Sequence, residues 1–455
     1  MFFVILSLYA SMQLRRIEGE GIMKKWVIAL TGGILLGLFL LGGNLFGNGK
    51  GIGASYDGFE EVKAASAGAI TESPEKDLTA HFHKKVIYLY PGKSSYNKLV
   101  INGAYDSIKW TVGNRKYASV TQEGRVSLKT AGAGKKVMVS AKISYHRNGK
   151  KQSKTVTYLL KGSVPVKKIK ITASKNYVFV GKKIKLKVMN KPAKATSHKV
   201  VWKSSNIKYA TVSKNGVVTP KSAGAGKTVI ITAKATDGFG AKAMYKLRII
   251  DLKKPIIALT FDDGPSVLYT KRVYQQLKKY DARATFFVLG CNLEKSQDVQ
   301  KIVKASAKYG NEIASHTYNH KNLATLSVNE IQTEVSRTEQ LIKKVTGVVP
   351  TLTRPPYGSM NDTVKSAIHT PLILWSIDTR DWQTRNADKT VDSVLGHVKD
   401  GDIVLMHDVY DQTASAAERI IPALVKEGYQ LVTVSELATY KKAKLKNGTS
   451  YCTIR

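Results

Sequence analysis

The chain repeats itself at a constant offset of 92 residues, and that constrains its fold more than any single motif. Trp110, Asn114, Lys116, Tyr117, Ala118 and Val120 recur as Trp202, Asn206, Lys208, Tyr209, Ala210 and Val212. Gly124 and Val126 recur as Gly216 and Val218, and the AGAGK run at 131–135 returns at 223–227. Between 110–144 and 202–236, 17 of 35 positions are identical without a gap. A duplicated unit of that length is large enough to close its own core. Short alternating runs, Val137 to Ile143 and Val229 to Ala235, are separated by glycine-containing turns, the pattern of a β-sandwich. Trp110 and Trp202 are read as sandwich core residues.

The W-x3-N-x2-Y-A-x-V stretch, the Gly-x-Val turn and the AGAG segment resemble bacterial immunoglobulin-like domains of group 2. The resemblance covers two modules, 84–163 and 164–250. They also own the charge of the molecule. The 455 residues carry 72 basic and 33 acidic side chains, a net +39. The two modules hold 37 of the basic and 3 of the acidic ones, an excess of 34. In the 182–188 run (KKIKLKV), lysines alternate with apolar residues, which places them on the solvent face. Some of this protects sheet edges, but the excess exceeds that need. It predicts a polyanionic partner.

The compartment decides which polyanion. Residues 26–46 form an apolar run without a charge, preceded by Lys24 and Lys25. About 20 such residues span a bilayer as a helix, and flanking lysines stay inside. The expected topology is a single-pass membrane anchor (23–47) with everything after it outside. The alternative is secretion after signal cleavage, and small-residue sites near Ala54 and Ala67 would permit it. Residues 1–22 read as a cytoplasmic tail or an upstream mis-start, with translation beginning at Met23. Residues 48–83, rich in Gly, Ala, Ser and Glu, read as a flexible linker. Outside the membrane the partners are anionic wall polymers, not nucleic acid.

From Asp251 the pattern becomes strand-like apolar runs alternating with amphipathic stretches, which predicts a parallel α/β fold. Strands are expected at 256–261, 284–288, 312–315, 372–376, 402–406 and 430–434, with a helix over 266–279. Five polar clusters follow such runs: TFDDGP (260–265), HTYNH (316–320), RPPYG (354–358), DTRDW (378–382) and LMHD (405–408). In a barrel of parallel strands that rim is where chemistry assembles. His316 and His320, at i and i+4, are read as facing one point from a helical turn. With one carboxylate they make a three-ligand site open to water, leaving the second Asp as a base. The clusters point to metal-assisted hydrolysis.

In this order they resemble the NodB-type polysaccharide deacetylases, carbohydrate esterase family four, over about 251–441. The resemblance implies a distorted (β/α) barrel, with Asp263, His316 and His320 as metal ligands and Zn²⁺, Co²⁺ or Ni²⁺ as the cofactor. It implies Asp262 as general base, paired with and oriented by Arg354. It gives the Tyr357 N–H an oxyanion role and His407 the role of general acid, tethered by Asp381. Trp382, Leu405 and Pro356 are expected around the acetyl group. Tyr410 stands where many such proteins carry a histidine, which bears on substrate contacts in that loop.

The expected reaction removes N-acetyl groups from N-acetylglucosamine units of peptidoglycan. The alternative substrates are poly-N-acetylglucosamine, chitin oligomers or acetylated xylan. His369 and His397 read as packing or helix-end residues. No pairing is assigned to Cys291 and Cys452, and residues 442–455 read as a short polar tail.

Overall fold

The computed structural model describes residues 77–455. The anchor expected at 26–46 lies outside them. Among the described residues no helix is long and apolar enough to cross a membrane.

Each repeat is a sandwich of the same plan. In the first, a four-stranded sheet runs in the order Val86–Leu89, Lys150–Gly162, Lys136–Arg147, Ser107–Val112. In the second the order is Tyr177–Phe179, Lys242–Ile250, Thr228–Ala235, Val200–Ser204. In both, the opening strand pairs parallel with the closing one and the others pair antiparallel. A three-stranded sheet covers the other side in each module. Alternation does the sorting: Val137, Val139, Ala141 and Ile143 are buried, while Lys136 and Lys142 face water. Ile184 and Leu186 are buried between exposed lysines in the same way.

Trp110 and Trp202 pack against the two cores from partly buried positions. The repeated glycines explain why both residues recur together. Gly124 and Gly216 have φ of +81° and +75°, and a Cβ on either would stand 2.4 or 2.7 Å from the indole. The first module begins earlier than expected. Strand Thr79–Phe82 pairs with Leu99–Asn102 and buries Leu78 and Phe82, so the end of the stretch read as linker belongs to the sandwich.

The third unit is a ring of parallel strands wrapped by helices. Its sheet runs Glu312–Ser315, Thr285–Val288, Ile256–Asp262, Ile403–His407, Ile377–Asp378. Ile256–Asp262 is buried along its whole length, as a central parallel strand should be. Single-residue parallel bridges carry the ring onward from Ser315 to Thr353 and from Thr353 to Leu372. The expected strand at 372–376 is reduced to Leu372–Ile373, and a further short strand, Ile377–Asp378, follows after a break. Residues 442–455 are not a free tail. Ser450–Tyr451 pairs parallel with Leu372–Ile373, and Ile454 is 2% exposed in the barrel core.

The second sandwich is docked on the amino ends of these strands. Strand Lys242–Ile250 runs straight into the barrel, and Ile250 packs in the same core cluster as Ile256. Arg248, 2% exposed, donates to the carbonyls of Asp281 and Leu431 at 3.1 and 2.9 Å. Tyr177 and Phe179 pack edge-on against Tyr440. The carboxyl ends, where the five clusters lie, are left clear.

Candidate active site

The site begins where the central strand ends. Asp262 is its last residue, and Asp263 turns the chain away with φ 67°. Arg354 is wholly buried and reaches Asp262 Oδ1 from Nη1 at 2.7 Å. Its other N–H groups donate to Thr260 Oγ1 and to the carbonyls of Ile373 and Leu374, all between 2.7 and 2.9 Å. The guanidinium also lies over the Phe287 ring, 4.2 Å from its centroid. Four of its five N–H donors are used in this way, so the Asp262 carboxylate is held in one orientation.

His316 follows strand Glu312–Ser315 directly, and its Nδ1 stands 2.8 Å from the Arg354 carbonyl. That contact puts the proton on Nδ1 and turns Nε2 toward Asp263. His316 and His320 do not lie on a helical turn. The segment is a loop, with Thr317 and His320 at φ 69° and 59°. The loop is pinned by Glu334, 5% exposed, which accepts from the N–H groups of Tyr318 and Asn319 at 2.9 and 2.7 Å. The two imidazoles still converge: each Nε2 is 3.4 Å from Asp263 Oδ1.

These atoms fit a cation. Asp263 Oδ1 is buried with no hydrogen-bond partner, and the Nε2 atoms of both imidazoles face it. Among the described residues this is the one cluster of three or more ligand-type side chains with such convergence. Ligands about 2.0–2.1 Å from a tetrahedral ion stand about 3.4 Å apart, and two histidines with one carboxylate leave a position open. Without an ion, burial pushes the Asp263 carboxyl up, but the neighbouring His316 imidazole outweighs it and holds it at about 2. Burial and the His316 charge push His320 down, toward the neutral form a metal needs.

The second couple faces the first across the cleft. His407 ends strand Ile403–His407, and its Nδ1 is 2.7 Å from Asp381 Oδ1. Asp381 is itself saturated. It accepts from the His407 N–H at 2.7 Å, the Trp382 N–H at 2.9 Å and the Thr413 hydroxyl at 2.6 Å. Burial opposes charge on His407, but the Asp381 hydrogen bond and charge prevail and raise its pKa to about 9. Asp408, the next residue, is fully buried and takes a hydrogen bond from Thr270, and burial pushes its pKa up to about 7.

Between the couples lies a cleft of about 450 Å³ lined by Asp262, Asp263, His316, His320, Tyr357, Trp382, Leu405 and His407. Tyr357 has left-handed backbone, φ 60° and ψ 6°. The turn around it is closed by N–H groups of Gly358 and Ser359, which leaves the Tyr357 N–H out of that pattern. Pro356 is a correction: both prolines are buried, and Pro355 is the one that lines the cleft. In a Pro-Pro pair the sequence does not reveal which ring faces inward. Trp375, Asp378 and Tyr410 also line it. Tyr410 had a signal in the sequence, and Trp375 had none. Glu334 left a faint one, a single acid on the buried face of helix Val328–Thr346. His369 and His397 are exposed and away from the cleft, and both cysteines are free thiols.

Two family profiles match the chain. Polysaccharide deacetylase matches residues 250–370, and bacterial Ig-like domain (group 2) matches 165–244. The peptidoglycan-N-acetylmuramic acid deacetylase PdaC of Bacillus subtilis is 42% identical over 202 residues, 44% of this chain and 43% of that protein. The peptidoglycan-N-acetylglucosamine deacetylase PgdA of Listeria monocytogenes (strain 10403S) is 40% identical, over 40% of this chain and 38% of its own. The similarity thus spans less than half the length of either relative. A peptidoglycan-N-acetylglucosamine deacetylase of Bacillus cereus is 39% identical over 194 residues, 41% of this chain and 89% of that protein.

Proposed function

The chain belongs to the polysaccharide deacetylase family, and from that premise we propose that it hydrolyses N-acetyl groups of N-acetylglucosamine units in cell-wall peptidoglycan, releasing acetate. One observation carries this reading. The buried, partnerless Asp263 Oδ1 and two imidazole nitrogens converge beside a cleft flanked by the Asp262–Arg354 and Asp381–His407 couples.

An amide resists hydrolysis because its carbonyl is a weak electrophile and its nitrogen leaves poorly. Asp263, His316 and His320 would hold a divalent ion, Zn²⁺ or with the same donors Co²⁺ or Ni²⁺. Such an ion supplies a Lewis acid for the carbonyl and for water. Asp262, fixed by Arg354, accepts the proton of the attacking water. The Tyr357 N–H donates to the oxygen that gains charge as the carbonyl becomes tetrahedral. His407 is cationic at neutral pH because of Asp381, so it gives its proton to the departing nitrogen. Leu405 and Trp382 enclose the acetyl methyl from the side.

The chemistry does not by itself select the sugar. The Bacillus subtilis relative is named for N-acetylmuramic acid, which makes that sugar the second reading. Mass spectrometry of digested glycan strands after incubation with the metal-loaded chain separates the two. Amino sugar at the glucosamine position supports the first reading, and at the muramic position the second.

The basic modules support a second proposal: they hold the enzyme on anionic wall polymers outside a membrane to which residues 26–46 anchor it. The chain lacking residues 1–47 should pellet with wall sacculi at low salt and be released by salt. A soluble protein under both conditions would contradict it. The second module should not be tested alone, because Tyr177, Phe179 and Ile250 would lose the barrel surface they pack on.

A further inference from the structure

Arg385 is held in one place at the lip of the cleft without a carboxylate to hold it. It ends the short helix Asp381–Thr384 with left-handed backbone, φ 48°. Its Nε donates to the Trp382 carbonyl at 2.7 Å. Its guanidinium lies flat over Tyr410, 3.3 Å from the ring centroid. Six of the eight arginines of the same domain end in ion pairs, namely Arg272, Arg283, Arg337, Arg354, Arg419 and Arg455, and only Arg380 and Arg385 do not. Among the described residues Arg385 has no acid within ion-pair distance, although it is exposed. A solvated arginine loses side-chain freedom when fixed this way, and a structural ion pair is not the return here.

Both groups that fix Arg385 belong to the cleft. Trp382 and Tyr410 line it, and the Tyr410 ring centroid is 6.4 Å from that of His407. Adding the 3.3 Å stack, the guanidinium carbon lies no more than 9.7 Å from the imidazole that faces the leaving nitrogen. That is a distance of one to two sugar rings. The acid at this mouth is Asp378, whose Oδ1 is engaged by the Arg380 N–H. A neutral glucosamine polymer offers no group that needs a fixed guanidinium fork. A glycan carrying carboxylates close to the acetamide does.

We propose that Arg385, aligned by Tyr410 and the Trp382 carbonyl, binds a carboxylate on the glycan beside the sugar being deacetylated, and so selects carboxylated strands over neutral ones. The carboxylate comes either from the lactyl ether on a muramic sugar or from the peptide that caps it. This rests on the deacetylase reading for the choice of substrate, and the binding arm of the test does not depend on turnover.

Three glycans separate the possibilities: neutral chitotetraose, peptidoglycan oligomers stripped of peptide so that the lactyl carboxylates are free, and the same oligomers with peptides attached. Calorimetric titration of the chain lacking residues 1–47 gives affinities, and acetate release gives kcat and KM. For Arg385→Gln we expect affinity for the preferred carboxylated glycan to fall about tenfold, with the loss in KM rather than kcat. The loss on chitotetraose should be much smaller. Arg385→Lys, which keeps the charge but not the fork, should recover part of it. Arg419→Gln removes a charge elsewhere on the surface and should alter neither. A loss confined to stripped oligomers assigns the lactyl group, and one confined to peptide-bearing oligomers assigns the peptide. Equal losses on neutral and carboxylated glycans, or none on either, would overturn the proposal. If no glycan releases acetate but carboxylated ones still bind in an Arg385-dependent way, the deacetylase reading fails and this one stands.

Discussion

Asp381 serves His407 twice, as an acceptor for Nδ1 and as the charge that keeps the ring cationic. The sign of its effect follows. In its proposed role of proton donor His407 works while protonated, and a pKa of about 9 keeps it so through neutral pH. The same coupling stabilises the fold below the ordinary histidine value of 6.5, and the contribution is lost as pH rises through about 9. In the metal-free chain, Asp381→Asn should bring the His407 titration, followed by NMR, down to 6.5 or lower, because the burial that opposes charge remains. The alkaline limb of kcat should move the same way. An unmoved titration would remove Asp381 from this role. Glu334 makes a different prediction. It fixes the loop that carries His320 without approaching the ligand atoms. Glu334→Ala should lower metal affinity roughly 10–100-fold, as loss of outer-shell support does, measured against a competing chelator.

Elements carry the recurrent Trp–Gly pair. At Gly124 and Gly216 an alanine would meet both a left-handed backbone and an indole. Gly216→Ala should cost roughly 2–4 kcal/mol, from left-handed strain plus overpacking. Urea unfolding measures it, and a change below about 0.5 kcal/mol would mean that the indole moves aside freely. This is also the scale at which sequence reading succeeded and failed. Strand Ile256–Asp262 was legible because a buried parallel strand is a largely apolar run with polar residues at its end, and the short Glu312–Ser315 because the HTYNH cluster follows it directly. The His316/His320 spacing correctly marked convergence but not its backbone. Four residues bring two side chains together on a helix or around a tight loop, and here Glu334, contributed by a later helix, decides for the loop. Ser450–Tyr451 was unreadable because its partner strand lies 78 residues earlier and its own sequence is polar. Trp375 was hidden because the apolar run 372–376 reads as one strand, whereas pairing stops at Ile373 and Trp375 sits in the break before Ile377–Asp378.

For the whole molecule, the charge and the chemistry are separated in space. The excess of 34 positive charges belongs to the two sandwiches, and the barrel, residues 251–455, carries 28 basic and 22 acidic side chains. The second sandwich is nevertheless part of the barrel's packing, with Arg248 at the join. Arg248→Ala would remove its bonds to two carbonyls and its ion pair with Asp281, although the Arg283 N–H still reaches Leu431 and the Thr228 N–H still reaches Asp281, at about 1–3 kcal/mol. Chemical denaturation should show this loss in a transition shared by the second sandwich and the barrel. A sandwich that melts separately, with barrel stability unchanged, would contradict the docking. Joined in this way, the module that carries the positive charge holds the barrel by the amino ends of its strands and leaves the catalytic rim facing outward.

The most direct test is acetate release from purified peptidoglycan by the metal-loaded chain and by Asp263→Ala. The account predicts stoichiometric acetate and free amino sugar in the first case. In the second, and in the wild-type chain after chelation, it predicts a loss of at least a hundredfold, the order expected when a group acting in the transition state is removed. No acetate from the loaded wild-type chain, or equal acetate from the variant, would contradict it.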